Sequence, residues 1–583
     1  MPAPREPLIM PVRTDISVPV RDHGTTRIKP RHWLFVFLLG LTVLRWVYAG
    51  TIGLSPDEAY YFMWAQRPDL AYFSKGPGVA MAIRFSTAIF GENEFGVRFL
   101  SPLLALGTSL AVFFLARKIH GSRADGAEAE RVAIWTVVAM NAIPIIQVGG
   151  LVMTIDALSI FFWAAALWTF WLALECSPRF SVHWPLTGFF IGLGFLSKYT
   201  NGMQLLSVVL LLATNEKYRR ELARPGFWSM LAVCALCAVP PLIWNQRHGW
   251  ITVAHLLARG HLDAPFRFHP LEWVSFFGAL FGVYSPLIFA GMLATLWWSR
   301  HDAHTDFRTQ FLLWFAVPLL AMYSVLALNK AGQPNWTAPA FISLGILTAA
   351  RWYEAAQTNR SKAKFAIWAL GIGTLMGLGI VNMDWTWKLT AWQRSALAHL
   401  PAPEQARQPW WRQTLAFCHK LSRPYPYSLD PSARLHGWKD GAQEIDRVRQ
   451  QFEHDSGQKV FLIANSYGTA AELAFYLPEK RVEGPGHPRV YIPASTVIEN
   501  QFSFWPRYDA AGTEPQRAGM NPFRGRTALY ITDRPDDLAP PSLMSSFAGV
   551  KLIELYDLRR HGELLRTLRI FACDNYKVDG SIQ

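Results

Sequence analysis

Two acidic side chains, Asp57 and Glu58, stand just beyond a greasy stretch from Trp33 to Tyr48, followed at once by Tyr60 and Tyr61. A short distance on comes Tyr72-Phe73-Ser74-Lys75-Gly76-Pro77-Gly78, whose glycines and proline specify a fixed turn around one lysine. Carboxylates beside a membrane span are costly near lipid and need a reason to be there. A carboxylate at a membrane–water boundary is suited to take a proton from an acceptor hydroxyl, and a lysine is suited to hold an anionic leaving group. Three later segments carry the same residue types: Met153-Thr154-Ile155-Asp156, Ser197-Lys198-Tyr199-Thr200, and Asn329-Lys330 with Pro334-Asn335-Trp336. Each has a plainer reading. Lys75, Lys198 and Lys330 are also what snorkelling lysines look like, Asp156 what a helix N-cap looks like, and Tyr199 and Trp336 what interfacial aromatics look like. Asp57 and Glu58 after Ser55-Pro56 would also suit the first turn of a loop helix, where acids favour the dipole.

The elements that must position these groups are apolar helices. The chain has 583 residues, 51% hydrophobic, 14% aromatic and 17% charged. Its mean hydropathy of +0.14 averages two regimes, apolar runs between residues 33 and 382 and a mixed, polar remainder. A span needs roughly 20 mostly apolar residues. Eleven candidates fall near 33–50, 98–117, 131–149, 157–175, 185–198, 201–214, 227–245, 273–297, 310–328, 335–351 and 364–382, the fifth and sixth being short. Lysine and arginine cluster before the first span (Arg5, Arg13, Arg21, Arg27, Lys29, Arg31) and in alternate short loops, for example Arg117, Lys118, Arg123 and Arg131. Cytoplasmic loops carry that excess, so the N-terminus is expected to be cytoplasmic and, with eleven crossings, the C-terminal region outside with the Asp57 loop. The net charge of +14 is explained by these loops, and nucleic acid is not an expected partner.

The expected organisation is a disordered leader over 1–30, a helical membrane domain over 31–383 with an external loop at 51–97, a Trp-rich interfacial connector over 384–435, and a small external α/β domain over 436–583. In that last domain the pattern predicts a helix at 439–452, a strand at 460–464, a helix at 469–477, and strands at 489–492, 528–531, 551–556 and 564–571. Asn465-Ser466-Tyr467-Gly468 sits at a strand end opening a helix, a place where α/β domains often bind ligands, and its plainer reading is a capped strand–helix turn. The acids of the tail are scattered, so the tail is expected to fold separately and to leave the Asp57 site intact if removed. Cys418 and Cys573, both in the tail, would be able to pair in an oxidising compartment. No G-x-G-x-x-G or P-loop occurs.

Taken in order, Asp57–Tyr61, Tyr72–Pro77, Thr154–Asp156, Ser197–Tyr199 and Pro334–Trp336 resemble the motif series of the family 39, protein-mannosyltransferase-type glycosyltransferases, bacterial aminoarabinose transferases included. The resemblance implies a polytopic α-helical GT-C membrane fold and transfer of a sugar from a polyprenyl-phosphate donor to an envelope lipid, glycan or protein. It implies Asp57 as general base with Glu58 and Asp156 beside it, and Lys75, Lys198 and Lys330 at the donor phosphate. Tyr60, Tyr61, Tyr199, Asn335 and Trp336 would contact substrate. Ser74 stands where the family usually has an acid, one that in the aminoarabinose enzyme helps hold a metal, and Gly76 where it has a proline, so the resemblance lends no support to a metal site here. A transporter or flippase of a lipid-linked glycan would present similar charges at a membrane cavity. Paired, repeated halves are common in that class, and no internal repeat is visible here.

Overall fold

The computed structural model describes residues 30–121, 126–423, 431–509, 521–534 and 539–577. The leader up to Lys29, and Arg123 among the basic loop residues, lie outside them. Each of the eleven apolar candidates falls on a helix or a helix pair. Among the described residues six helices are long and apolar enough to cross a membrane alone, including α1 (Pro30–Ala49), Ile155–Cys176, Pro225–Arg247 and Arg360–Val381. The candidate at 273–297 is not one rod. It is two helices, Pro270–Tyr284 and Pro286–Asp302, bent by 115°. Ser285 takes a positive φ of 73° and Pro286 removes a backbone donor, which together break the helix. The short fifth and sixth candidates are His183–Ser197 and Met203–Thr214, joined by a 3₁₀ turn at Tyr199–Gly202. Their inner faces (Trp184, Ile191, Val208, Leu211) enter the main apolar core of the bundle.

Helix α2 (Pro56–Ala65) opens the loop after α1. Ser55 caps it, with Glu58 completing a capping box. Adjacent helical residues point about 100° apart. Consequently Glu58 turns into the protein and Asp57 out of it. Glu58 is fully buried and meets Arg98 at 2.6 Å, while Arg98 also donates to the carbonyls of Ala49, Ile52 and Gly53. This pair pins the loop to the C-terminal end of α1.

The connector contains two helices, Met383–Ala398 and Pro409–Leu421, where the sequence pattern suggests only loose chain. Trp385, Trp392, Trp410 and Trp411 are exposed along them and Trp387 is buried. In the tail, a four-stranded sheet runs in the order β1 (Phe461–Ala464), β2 (Ala528–Thr532), β4 (Glu563–Tyr576), β3 (Phe547–Arg560). Strands β1 and β2 are parallel, and β3 and β4 form a long antiparallel hairpin. The expected strand at 489–492 shrinks to a single bridge between Ile463 and Tyr491, because Pro488 and Pro493 remove donors on either side. Cys418 and Cys573 are unpaired thiols.

The expectation of a separable tail fails on packing. Leu54 and Ala59–Ala65 share one apolar core with Trp438, Ile445, Leu462, Ala470, Leu473 and Phe475 of the tail. Gly468 sits so close to Pro56 that an added Cβ would lie 3.1 Å from it. The tail and the Asp57 loop are therefore one structural unit on one face of the bundle.

Candidate active site

Asp57, on the second residue of α2, is exposed at its own surface yet densely surrounded by protein. That surrounding desolvates the carboxylate and pushes its pKa above the ordinary value, against the pull of Arg259 and Arg434. Among the described residues it is engaged in no ion pair. Glu58 is otherwise placed: both its oxygens are taken by Arg98, the Ser55 cap and the Met153 amide, so the candidate role in catalysis gives way to a structural one.

Lys75 is held by a tight turn in which the Tyr72 and Lys75 backbones exchange two hydrogen bonds, at 2.9 and 3.3 Å. This turn is pressed against the end of helix His183–Ser197. A Cβ on Gly76 would collide with the Leu196 carbonyl, and one on Gly78 would lie 2.6 Å from Ser197 Oγ. The close approach explains glycine at these positions and brings Lys75 into the field of Lys198, Asp156 and Asp57. Burial, then Arg259 and Lys198, lower the Lys75 pKa to about 8.

Asp156 is not an N-cap. Thr154 performs that task by accepting from the Asp156 amide. The freed carboxylate receives Lys198 Nζ at 2.6 Å on one oxygen and Asn335 Nδ2 at 2.7 Å on the other. Lys198 also donates to the Asn335 carbonyl at 3.2 Å. Three segments far apart in sequence are thus clamped together, with Lys198 only 5% exposed. Lys330 lies farther out, exposed, on the rim of a cavity of about 250 Å³ that also takes in Arg259, Tyr323 and Trp336.

Tyr60 and Tyr61 are buried, and desolvation raises both phenol pKa values. The Tyr60 oxygen accepts from the Gln501 amide at 2.6 Å, so Tyr60 is a structural contact to the tail. Tyr61 lies in the field of Asp57 and Asp156. Tyr199 packs on Phe195 at 5.0 Å between ring centroids. Trp336 packs on Tyr323 and receives the Arg259 guanidinium 5.3 Å over its ring.

Three groups carry no motif that would have marked them, and a fourth, Tyr467, lies in the strand–helix turn that the sequence pattern marks. Arg259, last residue of the short helix Ile251–Arg259, acts electrostatically on both Asp57 and Lys75. His255, one turn earlier, is held neutral with its pKa down at about 4 by burial, Lys75 and Arg259. Tyr467, at the start of helix Tyr467–Tyr476, lies 4.6 Å from the Tyr60 ring and stays 39% exposed beside Asp57. Gln501 ties the two halves of the loop together: its amide reaches Tyr60, and its side-chain oxygen accepts from the Phe73 amide at 2.6 Å. The Ser466 side chain caps its helix as the pattern predicts.

Among the described residues no three His, Cys, Asp or Glu side chains gather as metal ligands would. With Ser74 in the turn before Lys75, the residues present do not fit a metal site.

Residues 74–244 match the model of the dolichyl-phosphate-mannose-protein mannosyltransferase family. A lipid A galacturonosyltransferase, RgtD of Rhizobium johnstonii, is 28% identical over 328 residues, 55% of this chain and 65% of that protein. An undecaprenyl phosphate-alpha-4-amino-4-deoxy-L-arabinose arabinosyl transferase of Erwinia tasmaniensis is 24% identical over 55% of this chain and 57% of its own. The chain thus spans less than two thirds of the length of these two relatives. ArnT from Cupriavidus metallidurans, solved in the apo state and bound to undecaprenyl phosphate, superposes with a TM-score of 0.56 at 17% identity, covering 93% of this chain and 98% of that one. The fold is therefore the GT-C membrane fold that the motif series implied.

Proposed function

We propose, from a chain with the GT-C fold whose residues 74–244 match the mannosyltransferase family, that this protein is an inverting glycosyltransferase. The donor is a polyprenyl-phosphate-linked sugar and the acceptor an envelope lipid, glycan or protein. The single observation that carries this reading is the placement of an unpaired, pKa-raised Asp57 in the same field as Lys75 and Arg259. In the reaction the Asp57 carboxylate takes the proton of the acceptor hydroxyl. The freed oxygen attacks the anomeric carbon, and the bond from that carbon to the phosphate oxygen breaks with inversion. Lys75 and Arg259 neutralise the departing polyprenyl phosphate, with Lys330 at the rim. Lys198 is already neutralised by Asp156, so its part is to hold the Lys75 turn against the Asp156 and Asn335 segments. The relatives named for undecaprenyl-phosphate aminoarabinose and lipid A galacturonic acid support a lipid-linked donor and make lipid A the first acceptor to try.

On this reading the protein lies in a bacterial inner membrane with its N-terminus cytoplasmic and the Asp57 loop and tail on the periplasmic side, as the basic loops suggest. The test is purified protein in liposomes with undecaprenyl-phosphate sugars and lipid A. The expected product is glycosylated lipid A with an inverted anomeric centre. Movement of labelled donor lipid across the bilayer with no sugar transferred would replace this reading by a flippase.

A further inference from the structure

A second charged site lies inside the membrane region, away from Asp57. Arg45 is on α1, one turn from its C-terminal end, and is only 7% exposed. An intramembrane guanidinium is expensive unless something neutralises it. Among the described residues no carboxylate pairs with it, and its hydrogen bond is a long one, Nη2 to Asn141 Oδ1 at 3.3 Å. The Asn141 amide nitrogen is spent on Ser109 Oγ and the Val137 carbonyl, so the Asn141 oxygen is fixed towards Arg45. The Gly150 backbone also presses close, where an added Cβ would lie 2.7 Å from Arg45 Cζ. The guanidinium is thus built in with most of its donors unspent.

Arg45 lines a cavity of about 250 Å³ between α1, helix Pro144–Gly149 and the C-terminal end of helix Arg360–Val381. Tyr48, Gln147 and Asn382 give it polar corners, while Leu44, Leu151 and Leu378 give it an apolar wall. Its flanks face lipid: Val43, Val47 and Leu375 are 48%, 60% and 68% exposed. The cavity shares no lining residue with the Asp57 site.

We propose that this cavity binds the headgroup of a monoanionic phosphodiester phospholipid, of the phosphatidylglycerol kind, from the leaflet on the Asp57 side. The planar fork of arginine suits two phosphate oxygens. One cation matches one negative charge, which favours a phosphodiester over the doubly charged monoester of a polyprenyl phosphate. No acid lines the cavity to receive the amine of phosphatidylethanolamine. The open apolar flanks accommodate acyl chains, which a free phosphate ion lacks.

The test is native mass spectrometry and thermal unfolding of the full chain, delipidated and then offered phosphatidylglycerol, phosphatidylethanolamine, undecaprenyl phosphate or inorganic phosphate. The expected result is retained phosphatidylglycerol and a melting temperature raised by that lipid alone, both reduced about tenfold or abolished in Arg45→Gln. Gly150→Ala, which keeps the charge but crowds the guanidinium, should weaken retention as well and serves if Arg45→Gln does not fold. Equal retention in wild type and both folded variants would overturn the proposal. So would equal binding of phosphatidylethanolamine, Arg45-dependent preference for undecaprenyl phosphate, or the full shift from inorganic phosphate.

Discussion

Asp57 and Glu58 are neighbours in sequence with opposite fates, and substituting each should fail differently. Asp57→Asn removes a base without removing a packing contact, so a folded, membrane-inserted protein with transfer reduced about 10²–10⁴-fold is expected. Glu58→Gln leaves Arg98 buried and unpaired, which costs about 3–5 kcal/mol, and should show first as lost stability in thermal unfolding. Lys75 makes the pH dependence specific. The base must be deprotonated, so kcat/KM rises as pH climbs through the Asp57 pKa, which burial raises above the ordinary aspartate value. The phosphate-binding lysine must be protonated, so kcat/KM falls again as pH climbs through about 8. Lys75→Arg should keep activity in part and abolish the alkaline limb, because arginine does not lose its proton there. Lys75→Ala should lose about tenfold to over a hundredfold, the worth of a charge-assisted contact to phosphate. An alkaline limb near 8 that survives Lys75→Arg would assign that titration to another group.

At the scale of elements, the site is assembled by three ties: the Lys75 turn on helix His183–Ser197, the Asp156–Lys198–Asn335 clamp, and Gln501 across the loop. Gln501→Ala removes the side-chain bond to the Phe73 amide, worth about 1 kcal/mol, and leaves the backbone bond to Tyr60 in place. It should lower kcat while leaving Asp57 and Lys75 chemically present, and a Gln501→Ala enzyme with wild-type kcat would show that the tie does not position the site. The same ties mark what the sequence could reveal. Asp57, Lys75, Asp156, Lys198 and Asn335 sit in short local patterns of acid, turn or cation, so they are legible one segment at a time. Their pairing is only partly legible: a capping threonine two residues before Asp156 leaves two acceptable roles for that acid. Arg259 and Gln501 are legible nowhere, since an arginine ending a nine-residue helix and a glutamine in a 3₁₀ turn acquire meaning only from what packs on them. Glu58 was legible as an acid but not as a buried one, because its partner Arg98 is supplied by a segment 40 residues away.

Across the whole molecule, the bundle and the sheet are tied through α2. Most of the helical candidates were legible as apolar runs, and β1 and β2 as short strands, while only the middles of the 14-residue β3 and β4 were legible; the shared core was not, because it pairs residues 54–65 with residues 438–572. Removing 436–583 should therefore expose that core and abolish transfer, with the loop around Asp57 becoming protease-sensitive. A truncated protein that keeps a protected loop would restore the separable tail. Because loop and tail share a core, protease outside spheroplasts should reach the tail on the periplasmic side, and full protection would invert the orientation proposed above. The most direct measurement is single-turnover transfer from undecaprenyl-phosphate sugar in liposomes, comparing wild type with Asp57→Asn at equal bound donor. The account predicts unchanged donor binding and transfer slowed at least about a hundredfold in the variant. Equal rates of transfer by the two proteins would contradict it.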